Sequence, residues 1–252
     1  NTKKKYYIYC EKPIAVNEKE LSWLKTRAKD LSEKIHVGFN QNHSTFASLI
    51  KKSLEVNKYG KPIYANFETT HGLAFKKEAT KNWRFIDNKT FSKLLGNLAI
   101  HFIFQSLSFF GDVENFFFSE SHFTEKKNSD TIILILRHKN GVTTSIFISY
   151  ASIYSKRSVV FFEDGAISKI KNGRISISTP RDTFDKSGEF TAPEPKYISN
   201  EDGERNNTLK KSINYFNVNS TNKKGFKKDD FDLAIKTSEL ILEIEKYYLT
   251  NS

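Results

Sequence analysis

The hydrophobic pattern of this 252-residue chain changes its period near residue 60. Before that point, two short aromatic and β-branched runs, 6–10 and 35–39, alternate with segments 18–33 and 45–56, whose apolar residues recur every three or four positions. This alternation predicts a strand, helix, strand, helix unit in which the two strands are parallel neighbours. Such a unit requires a parallel sheet at the start of the chain.

The rest of the chain has a strand-like period, interrupted by helices. A strand is predicted over 63–70 and a helix over 91–110, and further strands are predicted over 113–119, 130–138, 142–150, 157–163, 166–170 and 173–178. Asn-Gly and Asp-Gly pairs separate several of these runs, which is typical of an antiparallel meander. Residues 180–204 are predicted to be a long loop, and helices over 205–216 and 229–248 close the chain. The predicted fold is therefore a small parallel α/β unit, residues 1–59, followed by a large, mostly antiparallel sheet with helices on one face, residues 60–252.

Composition excludes several classes of protein. No apolar run approaches the roughly 18 residues that span a bilayer, and the single Cys10 fits a reducing compartment, so we expect no membrane partner and a cytoplasmic location. The net charge of +11 permits nucleic-acid binding, but 33 of the 40 basic residues are Lys and they form no basic helix face. Nucleic-acid surfaces favour Arg for bidentate contacts, so no specific nucleic-acid partner is predicted.

The first candidate for chemistry is the tripeptide Glu11-Lys12-Pro13, which follows the first strand directly. Ligands of open α/β sheets bind beyond the carboxyl ends of the strands. A lysine in that place can donate a hydrogen bond to a reacting hydroxyl and stabilise a developing alkoxide. The alternative is a strand-end turn held by a salt bridge.

The second candidate is a polar pair in the apolar helix 91–110. Asn97 and His101 are four residues apart and therefore share a helix face. They could line a site, or His101 could be a core histidine whose nitrogens are satisfied by its neighbours. Two weaker candidates are Asn40, at the end of the second strand, and the pair Trp83-Arg84; their alternatives are an ordinary turn or helix cap and a surface stack.

Several motifs are missing from these 252 residues. There is no Gly-x-Gly-x-x-Gly after a strand, no P-loop and no Gly-x-Ser-x-Gly elbow. The six His and the single Cys show no metal-ligand spacing, so no metal site is predicted.

The motifs that are present resemble those of the Gfo/Idh/MocA family of NAD(P)-dependent sugar and cyclitol dehydrogenases. A strand followed by Glu-Lys-Pro is the hallmark of that family, and the segment 96–101 is similar to its Gly-Gly-x-x-x-Asp-x-Gly-x-His motif. The turn at 38–40 and the Trp-Arg pair at 83–84 also look similar. The resemblance covers essentially the whole chain. It implies that residues 1–59 are the last part of a Rossmann-type dinucleotide-binding domain and that residues 60–252 are a substrate and oligomerisation domain.

The resemblance also implies roles, a cofactor and partners. The cofactor would be NAD or NADP, the substrate a sugar, nucleotide sugar or cyclitol, and the partner a second copy of the chain bound through the large sheet. The implied catalytic residues are Lys12 and His101, the implied substrate-binding residues are Asn40, Asn97, Trp83 and Arg84, and the implied cofactor-binding residues are Glu11, Lys12 and Pro13, with a Lys-Pro bond that is often cis.

Three departures from the family pattern matter. Asn97 replaces an acidic residue, so it can bind a hydroxyl but cannot take a proton. Gln41 and Asn42 replace two arginines, which argues against an anionic substrate. The motif lies at the start of a chain that has no Met and no Gly-rich loop, so an N-terminally truncated dehydrogenase is expected. The alternative is a non-catalytic binding or oligomerisation module, or the relic of a truncated gene.

Overall fold

The computed structural model describes residues 6–77, 94–124, 129–170, 173–200 and 204–251. The first unit consists of β1 (Ile8–Cys10), α1 (Glu18–Leu31), β2 (Ile35–Val37) and α2 (Thr45–Glu55). β1 and β2 pair in parallel, with Ile8 opposite Ile35, which confirms the predicted arrangement.

Both helices of this unit begin at side chains that cap them. The Asn17 side chain accepts a hydrogen bond from the Glu20 backbone N–H at 2.9 Å, and the Glu20 carboxylate accepts one from the Val16 N–H at 2.9 Å. Ser44 caps α2 by accepting a hydrogen bond from the Ala47 N–H at 3.0 Å. The Glu20 and Ala47 N–H groups belong to first turns, which leave them without an internal partner, and the Glu20 carboxylate also satisfies the N–H that precedes the cap.

The second unit is built on a mixed eight-stranded sheet. Its strands are β3 (Pro62–Thr70), β4 (Val113–Ser121), β5 (Thr131–His138), β6 (Thr143–Ser149), β7 (Ser155–Phe162), β8 (Gly165–Ile170), β9 (Arg174–Ser178) and β10 (Lys196–Asn200). Their spatial order is β10-β9-β8-β7-β3-β6-β5-β4. Most neighbours are antiparallel, as predicted.

The predicted antiparallel meander over residues 113–178 is interrupted by one earlier strand in the middle of the sheet. β3 lies between β6 and β7, parallel to β6 and antiparallel to β7. Ala65 and Phe67 of β3 are fully buried, as is typical of a central strand. A pairing between residues more than 70 positions apart leaves no local signal in the sequence.

The predicted loop 180–204 also contains an unpredicted strand. β10 pairs with β9 at the edge of the sheet, with an irregularity between Tyr197 and Ser199. Its side chains are mostly exposed, so it lacks the alternation of buried and exposed residues that identifies a strand. The Arg174 guanidinium lies 3.4 Å from the centre of the Tyr197 ring and packs over this edge.

The helices of the second unit lie on one face of the sheet. A π-helical turn at Leu95–Ala99 leads into α3 (Ile100–Phe110), which Gly111 ends with a φ of 78°; residues 91–93 of the predicted helix lie outside the described residues. α4 (Glu204–Thr221) is longer than predicted, and it is followed by α5 (Lys228–Asn251). No helix in the described ranges combines the length and apolar character needed to cross a membrane.

One apolar core connects the two units. Phe39, just after β2, stacks on Phe104 of α3 at 4.0 Å, and Phe102 of α3 stacks on Phe67 of β3 at 5.1 Å. α4 and α5 return to pack against the first unit. The carboxyl ends of β1 and β2 are therefore held against the sheet and α3.

A histidine pair beneath α4, with His36 buried and His43 half-buried, makes the fold sensitive to acid. The His36 Nε2 lies 2.9 Å from the Ser212 Oγ, and the rings of His36 and His43 are 5.5 Å apart. Burial, aided by the charge of His43, lowers the pKa of His36 from 6.5 to about 4. Burial, aided by Lys51 and Lys211, lowers the pKa of His43 to about 4.

The free energy of unfolding is expected to decrease as the pH falls from about 6.5 to 4. In that window the unfolded chain binds protons that the folded rings refuse, so acid favours the unfolded state. The shift of His36 corresponds to about 3 kcal/mol. Urea denaturation at several pH values should show this slope and a shallower one for His36→Gln, whereas the exposed His122→Gln should keep the original slope. An unchanged slope in His36→Gln would contradict the assignment.

Candidate active site

A polar cavity of about 710 Å³ lies where the two units meet. It is bounded by the residues after β1 and β2, the π-helical turn, the ends of β6 and β7, and one turn of α4. Its polar lining includes the side chains of Lys12, Asn40, Asn97, His101, Tyr150 and Lys156. Four of these were predicted from the sequence, and the structure brings them to one cavity although they lie up to 89 positions apart.

Lys12 is fixed at the wall of the cavity by the helix turn. Its Nζ donates a hydrogen bond to the backbone oxygen of Asn97 at 2.6 Å and lies 3.4 Å from the Asn97 Oδ1. The Lys12-Pro13 peptide bond is cis, as the resemblance implies. Glu11 also lines the cavity. The ammonium group is thus held beside the end of β1, where ligands of parallel sheets bind.

The amide of Asn97 is oriented by a residue that sequence reasoning missed. Its Nδ2 donates to the Tyr150 hydroxyl at 3.0 Å, and the Tyr150 ring stacks on His71 at 4.7 Å. This contact turns the Asn97 Oδ1 toward Lys12. Tyr150 directly follows β6, so only the register of the sheet could have placed it beside a residue 53 positions earlier.

His101 contributes a neutral imidazole. It lies one turn after Asn97 and lines the same cavity, with its ring 6.2 Å from that of Phe39. Burial, followed by the charges of Lys12 and Lys156, lowers the pKa of His101 from 6.5 to about 3. Its Nδ1 is buried and has no hydrogen-bond partner among the described residues. A buried imidazole without a partner is available for a proton or a ligand hydroxyl.

Asn40 begins the turn after β2. Its Oδ1 accepts a hydrogen bond from the Tyr9 hydroxyl at 3.0 Å, and that hydroxyl is also 3.1 Å from the Ser212 Oγ. Because the carbonyl is engaged, the Asn40 amide NH₂ is the group that can serve a ligand oxygen.

Trp83 and Arg84 lie outside the described residues, so their placement in the site stays a prediction. Within the ranges that the structure describes, no group of three or more His, Cys, Asp or Glu side chains is arranged to hold a metal ion.

The fold and cavity can be compared with known proteins. Residues 48–168 match the family model described as the GFO/IDH/MocA C-terminal domain. Levoglucosan dehydrogenase in complex with NADH has the same fold, with a TM-score of 0.74 and 17% identity over 95% of this chain and 70% of that one. UDP-N-acetylglucosamine 3-dehydrogenase from Acidithiobacillus ferrooxidans gives a TM-score of 0.67 and 14% identity over 94% of this chain and 69% of that one.

These matches define a fold shared with two dehydrogenases, in which a parallel α/β unit meets a large mixed sheet. Residues 48–168, just under half of the chain, are thus similar to the C-terminal domain of the Gfo/Idh/MocA family. Among curated proteins, 100 residues are 33% identical to glucose-6-phosphate 3-dehydrogenase of Bacillus subtilis, a match that covers 38% of this chain and 28% of that protein. The family match begins within α2, and the division of the chain at residues 59 and 60 stays a prediction.

Proposed function

We propose that this protein transfers a hydride between NAD(P) and a hydroxyl-bearing carbon of a sugar, nucleotide sugar or cyclitol. The observation that carries this proposal is the convergence of the Lys12 ammonium, the Asn97 amide and the neutral His101 ring on one cavity beyond the end of β1. A cation and a neutral base beside the same polar space are the two groups that oxidation of an alcohol requires.

The relatives support the class of substrate and cofactor. All three named dehydrogenases act on carbohydrates or their derivatives, and one of them was solved with NADH. The buried, unpartnered His101 Nδ1 and the lysine beside it suit a site in which a hydroxyl and a nicotinamide meet. These 252 residues contain no Gly-x-Gly-x-x-Gly, so the proposed contacts of residues 11–13 are with the nicotinamide end of the dinucleotide.

Lys12 is proposed to hold the reacting oxygen. An ammonium group has three N–H donors, and its bond to the Asn97 carbonyl keeps it at the cavity wall. A hydroxyl oxygen that accepts from Lys12 becomes more acidic, and the same charge stabilises that oxygen while the C–H bond breaks. NAD(P), when bound, supplies the acceptor for the hydride.

His101 is proposed to take the proton of the hydroxyl. Its depressed pKa keeps the ring neutral at physiological pH, so a nitrogen lone pair is present. Oxidation then sends the hydroxyl proton to His101 as the C–H electron pair leaves with the hydride. Reduction reverses both transfers. Asn97 and Asn40 are proposed to bind neighbouring hydroxyls of the substrate.

His101→Gln is expected to lower kcat by about 10²-fold or more, because a positioned general base contributes that much. KM should change little, since glutamine keeps a polar group at the cavity wall. Steady-state kinetics would measure the effect, and His122→Gln, at an exposed site, is the matched control. An unchanged kcat in His101→Gln would show that the proton leaves by another route.

A non-catalytic module is the second candidate. It is motivated by Asn97 in place of an acidic residue and by the missing pyrophosphate motif. It requires that the cavity bind a sugar without turnover. Turnover by the wild type and by Asn97→Asp distinguishes the two candidates. An enzyme should turn over its substrate in both forms, whereas a binding module should show no turnover in either.

We further propose that two copies of the chain associate through the open face of the large sheet. This face carries the exposed apolar residues Phe117, Ile133, Ile135 and Phe161. Phe117 lies directly opposite Ile135 in the register of β4 and β5. An exposed group of apolar residues on a sheet face is typical of an interface.

Ile135→Lys is expected to convert the dimer to a monomer, because it places a charge in the centre of the proposed interface. Light scattering coupled to size exclusion would report the mass. Leu249→Lys, at an exposed apolar residue of α5, is the matched control and should stay dimeric. A dimer of Ile135→Lys, or a monomeric wild type, would contradict this interface.

A further inference from the structure

A chain of hydrogen bonds connects Asn40, at the cavity, to a histidine under α4. The Tyr9 hydroxyl lies 3.0 Å from the Asn40 Oδ1 and 3.1 Å from the Ser212 Oγ. The Ser212 Oγ in turn lies 2.9 Å from the His36 Nε2. These contacts join β1, β2, the turn after β2 and α4. Of the four residues, only Asn40 has a role in the proposed function.

The inner part of this chain is shielded from water. Ser212 has no exposed surface and His36 is buried, whereas Asn40 borders the cavity. Ser212 lies one helical turn after Thr208, which also lines the cavity, so one face of α4 reaches both the chain and the site. Buried polar atoms keep their hydrogen bonds, because water is not there to replace a lost partner. The three contacts therefore form and break together.

The number of protons in the chain fixes its direction. A hydroxyl has one proton to donate, and Tyr9 donates its proton to the Asn40 Oδ1. The Tyr9 oxygen must then accept from Ser212, and the Ser212 oxygen must accept from His36. Burial, aided by the charge of His43, lowers the pKa of His36 from 6.5 to about 4, so the ring is neutral at pH 7. A neutral imidazole has a single N–H, and here it must lie on Nε2.

The opposite direction would present the other end of the Asn40 amide. With the His36 proton on Nδ1, Nε2 would accept from Ser212, and Ser212 would accept from Tyr9. The Asn40 Nδ2 would then donate to Tyr9, and the amide oxygen would face the cavity. The tautomer of His36 is thus linked to the group that Asn40 offers to a ligand.

We propose that Tyr9, Ser212 and His36 are positioning residues that hold the Asn40 NH₂ toward the cavity, where it donates to an oxygen of the ligand. This inference rests on the proposed function, in which Asn40 binds a hydroxyl of the substrate. An N–H group of a ligand finds no acceptor on the amide in that orientation, so the chain selects an oxygen at this place. A helix of the second unit thereby sets the specificity of a side chain that belongs to the first.

Nitrogen-15 NMR of the histidine rings, in the protein without ligand, tests the direction of the chain. His36 is expected as the Nε2–H tautomer, with a proton that exchanges slowly with water. Ser212→Ala should accelerate that exchange about fivefold or more, because the proton loses its acceptor. Ser220→Ala is the matched control, since that hydroxyl lies on the same helix and donates to the Asn217 carbonyl at 3.1 Å. An Nδ1–H tautomer in the wild type, or unchanged exchange in Ser212→Ala, overturns the proposal.

Steady-state kinetics test the effect of the chain on binding. NAD would be used with the sugar or cyclitol that gives the highest turnover among glucose, glucose 6-phosphate and myo-inositol. Ser212→Ala is expected to raise KM about twofold or more, the loss that follows if both orientations of the Asn40 amide become equally populated. The change in kcat should be small, because the Asn40 contact is made before and during the reaction alike. Ser220→Ala should match the wild type.

A double variant distinguishes positioning from a structural role. If Ser212 acts through Asn40, Ser212→Ala should raise KM no further once Asn40→Ala has removed the amide. Independent losses in the two variants, or a fall in kcat at constant KM, overturn the proposal. Failure of the proposed function is separate, because it would appear as an absence of NADH binding and turnover, whereas the tautomer of His36 is measured without any ligand.

Discussion

Lys12→Met is expected to lower kcat/KM by about 10²–10³-fold or more, the loss observed when one donor to a developing oxyanion is removed. Methionine keeps the length of the side chain but carries neither charge nor N–H groups. The variant also loses the bond to the Asn97 carbonyl, which lies at 2.6 Å from the Lys12 Nζ. The loss should appear mainly in kcat, because the interaction strengthens as charge develops on the substrate oxygen.

The same variant should stay folded. Lys12 is only partly buried and contributes no apolar core contact, so its free energy of unfolding should change by about 1 kcal/mol or less. Lys139→Met is the control, because that exposed lysine lies on the surface 3.9 Å from Asp112. Full activity in Lys12→Met would remove the lysine from the reaction. Low activity accompanied by unfolding would show a structural role instead.

Phe67→Ala is expected to destabilise the chain by about 3–5 kcal/mol, the usual loss for a fully buried aromatic residue. Phe67 has no exposed surface and stacks on Phe102, so it joins the central strand of the sheet to α3. Alanine would leave a cavity in the core that holds the site together. Urea denaturation at pH 7 measures the change.

Phe123→Ala is the matched control for this prediction. Its ring is 70% exposed, and the contacts of Phe123 with Asp130 are made by its backbone N–H. The free energy of unfolding should therefore change by about 0.5 kcal/mol or less. Comparable losses in the two variants would mean that β3 does not occupy the centre of the core.

Elements with a strong local signal were predictable. α1 begins at Asn17 with Glu20 three residues later, and α3 ends at Gly111, so capping chemistry sets both boundaries. The parallel pairing of β1 and β2 follows from the helix between them. The insertion of β3 and the edge strand β10 were not predictable, because both depend on pairing between distant residues.

The same distinction applies to the site. Lys12, Asn97 and His101 carry motif spacing within short segments, and the cavity brings all three together. Tyr150 and Lys156 lie at the ends of two strands, and their sequence neighbourhood gives no sign of function. Their approach to Asn97 and His101 depends on the register of β3 with β6 and β7. The sequence therefore identified the groups proposed for chemistry. It did not identify Tyr150, which orients Asn97, or Lys156, whose positive charge lies at the cavity.

A crystal structure of the protein with NADH would show directly whether the cavity holds the nicotinamide, and it does not depend on knowing the substrate. We expect the nicotinamide ring to lie in the cavity between residues 11–13 and His101. A substrate oxygen could then contact Lys12 and its carbon could lie about 3–3.5 Å from the ring. NADH bound elsewhere, or a nicotinamide outside the cavity, would contradict the assignment of this site to hydride transfer.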